Sequence, residues 1–138
     1  TSIGLDRMFL AILSNSLNEE KLEDGTTRTV LNLPPPLAPK KVAILPLVKK
    51  DGLPEKAKEI MKSLLFNHQC HYEEKDSIGK RYRRQDAIGT PFCITIDHDT
   101  LNDLSVTIRE RDTMSQERVP ITELHSIIDK KVSIHTLL

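Results

Sequence analysis

The chain has 138 residues, of which 38% are apolar and 29% charged, which excludes a disordered chain and predicts one ordinary domain with attached material. Lysine plus arginine equals aspartate plus glutamate at 20 each, so net charge gives no general attraction to polyanions and only local clusters can supply one. No apolar run is long enough to cross a membrane, and no membrane partner is expected.

In chain order, residues 4 to 20 read as a helix whose Met8, Phe9, Leu10, Ile12 and Leu13 cover nearly every direction, a pattern of burial on all sides. The chain opens at Thr1 directly into this helix, so the sequence reads as a cut end, with part of the helix's cover lying elsewhere. "EEKLEDGTT" reads as a loop and "RTVLNL" as a short strand. "PPPLAP" at 34 to 39 is stiff and extended, and marks the boundary of a domain starting near Lys40.

From there, "KVAILPLV" is a strand buried on both faces, and Ala57, Ile60, Met61, Leu64 and Leu65 recur at helical spacing to about His68. "QCHYEE" is the next strand. "SIGKRYRRQDAIG" follows as a helix, with Asp76 and Ser77 as cap candidates and Gly89 as its stop. "PFCITI" is a second buried strand and "DHDTLND" a polar turn. Leu104, Val106 and Ile108 alternate with Ser105, Thr107 and Arg109, marking a strand with one face on the core and one open to solvent or ligand. "SQERVPI" is its partner, and "TELHSIIDKK" a closing helix with Thr122 as cap. The order β, α, β, α, β, β, β, α predicts a mixed sheet flanked by helices.

Two clusters carry charge. Lys80, Arg81, Arg83 and Arg84 occupy four of five positions, with Ile78, Tyr82, Gln85 and Gly89 on the side expected to dock. The cations are read as a solvent-facing surface, either solvated or binding a polyanion, and arginine's planar fork favours phosphate. The second cluster, residues 108 to 118, interleaves Arg109, Arg111 and Arg118 with Glu110, Asp112 and Glu117. It is read as cross-strand ion pairing, or as the mixture of donors and acceptors that discriminating base edges requires.

His68, Cys70 and His71 lack the second ligand cluster of a zinc site, and no metal site is expected. Cys70 and Cys93 are expected as free thiols in a reducing compartment. No catalytic constellation occurs within 40 to 138. At the start of the first helix, "GLDR" places Gly4 and Arg7 where a helix N-terminus favours an anion.

Taken together, "GLDR", "LAPKKVAILPLVKKDGLPEKAKEI", "SIGKRYRRQDAIGTPFCITID" and "TIRERDTMSQERVPI" resemble the C-terminal part of glycyl-tRNA synthetase of the dimeric α2 type, essentially end to end. The resemblance implies a three-layer α/β/α anticodon-binding domain at 40–138 with a mixed, about five-stranded sheet. Residues 1–39 would be the C-terminal remnant of a class II catalytic domain, ending motif 3. It also implies a cytoplasmic homodimeric parent that charges tRNA(Gly) with glycine using ATP and Mg2+.

By the same resemblance, Gly4, Leu5, Asp6 and Arg7 match the ATP-contacting stretch, and Ser2 with Gly4 the glycine pocket; Thr1 and Ile3 depart from the family pattern. Lys80, Arg81, Arg83 and Arg84 are expected on tRNA phosphates, and Arg109, Glu110, Arg111, Asp112 and Gln116 in base readout. Motifs 1 and 2 are absent, so this chain alone should not aminoacylate, and neither DNA nor a resident cofactor is expected for it. Two alternatives stay open: an accessory subunit similar to that of the mitochondrial DNA polymerase, against which the intact "GLDR" argues, and a protein-interaction domain whose cationic helix meets an acidic partner.

Overall fold

The computed structural model describes residues 2–133, with side chains from Gly4 onward. Helix α1 (Ser2–Ser16) leads into a hairpin of β1 (Leu17–Lys21) and β2 (Thr27–Leu31), and a short 3-10 turn (Pro35–Leu37) follows. The remaining elements are β3 (Val42–Pro46), α2 (Leu53–Leu64), β4 (Cys70–Tyr72), α3 (Ile78–Ile88), β5 (Phe92–Ile96), α4 (His98–Asp103), β6 (Ser105–Glu110), β7 (Gln116–Pro120) and α5 (Ile121–Val132).

The main sheet has the order β4-β3-β5-β6-β7. β3 runs parallel to both β4 and β5, whereas β6 and β7 are antiparallel additions. The sheet is therefore mixed and five-stranded, as expected. β3 and β5 are buried at every position because helices cover both faces. On one face Val42, Ile44, Ile94, Ile96, Val106 and Ile108 pack with Leu53, Ala57, Ile60 and Leu64 of α2 and Leu124, Ile128 and Val132 of α5. On the other, Ala43, Leu45 and Cys93 meet Ile78 and Tyr82 of α3. This is the three-layer arrangement. β3-α2-β4 and β4-α3-β5 cross the sheet in opposite directions, and connections of a single hand then put α2 and α3 on opposite faces.

Local signals hold at the ends of α3. Ser77, not Asp76, caps it by accepting from Lys80 N, and Gly89 ends it in the left-handed region at φ 87°. A side chain at Gly89 would also meet Leu31, whose Cδ2 lies 3.1 Å from an added Cβ.

Several expectations are corrected. β1 takes the end of the stretch read as a helix and the start of the one read as a loop; it is a strand without apolar alternation that is held by its pairing with β2, Leu17 opposite Leu31. That pairing ends the first helix at Ser16 rather than residue 20. "DHDTLND" contains α4, nucleated by a capping box between Asp97 and Thr100. α2 stops at Leu64, and α5 is capped by Pro120 without a side-chain bond, so Thr122 has no cap role.

The Pro-rich stretch is compact rather than extended: Lys41 Nζ donates to the carbonyls of Pro35, Pro36 and Ala38 at 3.1, 2.6 and 2.7 Å. The all-round burial read for α1 is not met among the described residues, where Leu5, Met8, Phe9 and Leu10 remain exposed. Both cysteines are buried and free, as expected, and burial raises the Cys70 thiol to about 11 and the Cys93 thiol to about 12.

Candidate nucleic-acid interface

The face carrying α3 is only partly covered. α3 lies over β3 and β5, and the outward side chains of β6 and β7 continue the sheet beyond it. Between them lies a cleft of about 250 Å³ lined by Leu47, Ile78, Tyr82, Thr95, Asp97, Thr107 and Gln116. Leu47 and Asp97 directly follow β3 and β5, so the cleft sits at the carboxyl ends of two parallel strands, where open α/β sheets bind ligands.

The lining combines an apolar wall with a polar edge. Tyr82 presents its ring, and its hydroxyl shares a hydrogen bond with Thr95 Oγ1 at 2.6 Å. Burial raises the Tyr82 phenol above its ordinary value. Asp97 accepts both terminal nitrogens of Arg118, at 2.6 and 2.9 Å. That hydrogen bonding holds the Asp97 carboxyl below the usual range, and keeps donor and acceptor side by side at the cleft edge. Ser105 and Thr107 hydroxyls also accept from Arg118, at 2.7 and 3.2 Å.

The charged helix behaves differently from its sequence reading. Lys80 is exposed, and the Arg83 and Arg84 side chains are 43% and 42% exposed. Arg81 is 1% exposed and points inward. It lies three residues after Ile78 and four before Gln85, on the docking stripe itself, where charge had concealed it. Its guanidinium donates to the carbonyls of Pro46 at 2.6 Å, Leu47 at 3.1 Å and Glu73 at 3.2 Å, closing the end of β3. Burial, the largest influence, lowers its proton affinity, with the Glu73 charge acting the other way. Arg84 is neutralised by Glu73 and Asp76, and Arg83 stands 3.5 Å from Asp86.

The second cluster also divides. Arg109 is 3% exposed, clamped on Asp86 at 2.8 and 3.1 Å with its guanidinium 4.6 Å from the centre of the Tyr82 ring. Arg111 is 2% exposed and donates to the carbonyls of Gly89 at 2.9 Å and Leu33 at 2.6 Å. Asp112 binds Arg111 and accepts from Asn32 at 2.6 Å; burial pushes its carboxyl up, but these bonds prevail and hold it below the usual range. Glu110 pairs with Lys131 of α5 at 2.6 Å, on the opposite face from the cleft. Of the five residues read as base contacts, Gln116 alone lines the cleft; Arg109 and Arg111 have no surface to offer.

Sequence reasoning overlooked Leu47, Tyr82, Thr95, Asp97 and Thr107 as a lining, and Arg118 as the partner that holds Asp97. The alternation at 104 to 109 did signal an open strand face. The pairing of Asp97 with Arg118, 21 residues apart, had no local signal.

At the other end, Gly4, Leu5, Asp6 and Arg7 lie on an exposed turn of α1, and the side chain of Ser2 falls outside the described residues. The cavity beside this helix, about 210 Å³, is lined by Leu5, Met8, Phe9, Ile12, Leu33 and Leu37 and is apolar. These residues alone do not enclose a triphosphate or its Mg2+.

A five-stranded mixed sheet between two layers of helices, with a cleft at its strand ends, defines a three-layer α/β domain. Residues 41–131 match the family model described as anticodon binding domain, and the chain belongs to that family. It is 54% identical over 132 residues to the glycine–tRNA ligase of Geobacillus thermodenitrificans (strain NG80-2), covering 96% of this chain and 28% of that protein. It is 57% identical over 127 residues to the glycine–tRNA ligase of Clostridium beijerinckii (strain ATCC 51743 / NCIMB 8052), covering 92% and 27%. The chain thus spans less than a third of the length of these curated relatives. In structure, it is similar to the RNA binding domain of threonyl-tRNA synthetase from Cryptosporidium parvum Iowa II, with a TM-score of 0.66 and 23% identity, over 72% of this chain and 25% of that one. That likeness concerns the fold.

Proposed function

We propose that this chain is the anticodon-recognition module of a glycine–tRNA ligase, whose complete form attaches glycine to tRNA(Gly) with ATP and Mg2+. The observation that carries the reading is the cleft at the ends of β3 and β5, inside the family-matched segment, which sets the Tyr82 wall beside the Asp97, Thr107 and Gln116 edge. An unstacked base needs a flat apolar contact and a mixed hydrogen-bonding edge, and the cleft offers both. Lys80 and Arg83, exposed on α3, serve phosphates, while Arg81, Arg109 and Arg111 act from the interior by holding the surface in shape.

In this reading, residues 40–138 form the anticodon domain, and residues 1–39 end the catalytic domain, where Ser2 and Gly4 face glycine and Gly4 to Arg7 face ATP only once the rest of that domain encloses them. The complete protein is a cytoplasmic homodimer that binds no DNA. No helix among the described residues is long and apolar enough to cross a membrane.

The test is binding of a tRNA(Gly) anticodon stem-loop against anticodon-substituted versions, at fixed salt. Each substituted base is expected to weaken binding by about 1–3 kcal/mol, by analogy with base readout in DNA. Equal binding of all versions defeats the proposal. Residues 1 to 138 alone are expected to show no glycine-dependent ATP–pyrophosphate exchange.

A further inference from the structure

On the sheet face away from the cleft, His68, from the connection after α2, meets His125 and Asp129 of α5. His68 Nε2 lies 2.5 Å from Asp129 Oδ1, and His125 Nδ1 lies 3.1 Å from Asp129 Oδ2. The two imidazole rings are 5.7 Å apart, and one nitrogen or oxygen from each of the three residues falls within 4.8 Å of the others. Asn67 Nδ2 stands 3.0 Å from the other ring nitrogen of His125, Nε2.

From this geometry we infer that His68, His125 and Asp129 form a binding site for a divalent transition-metal ion of the zinc type. Two imidazoles and one carboxylate are the borderline donor set that zinc accepts with an open fourth position, whereas magnesium and calcium call for oxygen ligands. The ligand atoms are within a rotamer adjustment of zinc's bonds of about 2.0–2.2 Å, and His125 and Asp129, 40% and 47% exposed, have room to make it. Asn67 completes the arrangement. With His125 Nδ1 on the metal, Nε2 carries the proton, and a turn of the Asn67 amide presents its oxygen as acceptor, the outer contact that fixes a liganding imidazole.

The sequence reading grouped His68 with Cys70 and His71, whereas the fold gathers ligand atoms of His68 with those of His125 and Asp129. Cys70 is buried, while α5 brings a partner pair from 57 to 61 residues further along. The three ligands join the α2–β4 connection to α5, so the ion acts as a clip on the fold, away from the RNA cleft. The inference does not depend on the proposed function.

The test takes the full 138-residue chain, stripped with chelator, and titrates ZnCl2 by calorimetry and CoCl2 by visible absorption, with MgCl2 as control. The result expected is one zinc per chain, cobalt bands of a four-coordinate site, and a Tm that rises with zinc concentration. His125→Ala and Asp129→Asn, both at the surface, should each lower zinc affinity at least about tenfold, since loss even of an outer partner of a metal ligand typically costs about 10–100-fold. His98→Ala is the comparison, since His98 pairs with Asp51 at 2.9 Å on the surface without a third ligand among the described residues; it should bind zinc as the parent does. Circular dichroism establishes that each variant is folded. Absence of zinc binding, binding that survives either ligand substitution, or equal dependence on His98 overturns the site.

Discussion

Arg28 and Asp86, 58 residues apart, meet at 3.0 Å with both side chains fully buried. Arg28 comes from the hairpin before the Pro-rich stretch and Asp86 from α3, so the segment read as a separate remnant is fastened to the sheet domain by charge. Asp86 also takes two bonds from Arg109, and Arg28 donates to the Arg111 carbonyl at 2.8 Å and to Glu20 at 2.8 Å. Removing the shared anion leaves the interior Arg109 guanidinium without its carboxylate and Arg28 with only Glu20 as a carboxylate partner. Asp86→Ala is expected to cost about 3–5 kcal/mol in urea unfolding, and Arg28→Ala less, because Asp86 keeps Arg109. A loss below about 1 kcal/mol for Asp86→Ala contradicts this account.

The four cations of α3 should separate by assay. Arg81→Ala removes three bonds to carbonyls and is expected to lower stability by about 2 kcal/mol or more. Lys80→Ala is expected to leave stability within about 0.5 kcal/mol. It should instead weaken RNA binding and reduce the slope of log affinity against log salt by about 0.7, the share of one single-strand phosphate contact. Paired urea melts and salt titrations decide it, and an unchanged slope removes Lys80 from the interface.

Gln116 and Glu110 were predicted alike and lie on opposite faces. Gln116→Ala should narrow the preference for the tRNA(Gly) anticodon over a substituted one. Glu110→Gln, at a residue held by Lys131, should leave that preference intact. Competition between the two stem-loops measures both, and a shift confined to Glu110→Gln reverses the assignment of faces.

The Asp97–Arg118 pair gives a pH dependence of known sign. The Asp97 carboxyl is lowered in the folded chain, chiefly by Arg118, from an unfolded value of about 3.9. The stability this adds is fully present above about pH 4 and disappears as pH falls through the folded value. The stability difference between the parent and Arg118→Ala should therefore hold constant from neutral pH to about 4 and shrink below it. Urea melts across that range test it, and a difference that persists undiminished at lower pH refutes the coupling.

Much of this protein was determined by local sequence. The two apolar runs became the central strands because an uninterrupted β-forming stretch tolerates only burial on both faces, and Ser77 and Gly89 bounded α3 through their own backbone and side-chain chemistry. The alternation from 105 to 109 marked the open strand, whereas Leu104, read with it as a core position, ends α4 and is exposed. What the tertiary structure alone decided was the role of each charge. Arg81, Arg83 and Arg84 share a composition and a neighbourhood, yet one closes a strand end in the interior and two reach the surface. Periodicity records which way a side chain points, whereas burial of a guanidinium depends on carbonyls and carboxylates delivered by strands and loops tens of residues away. Asp86 for Arg109, Asp97 for Arg118 and α5 for His68 were such deliveries, set by chain topology and by the need of every buried polar group for a partner.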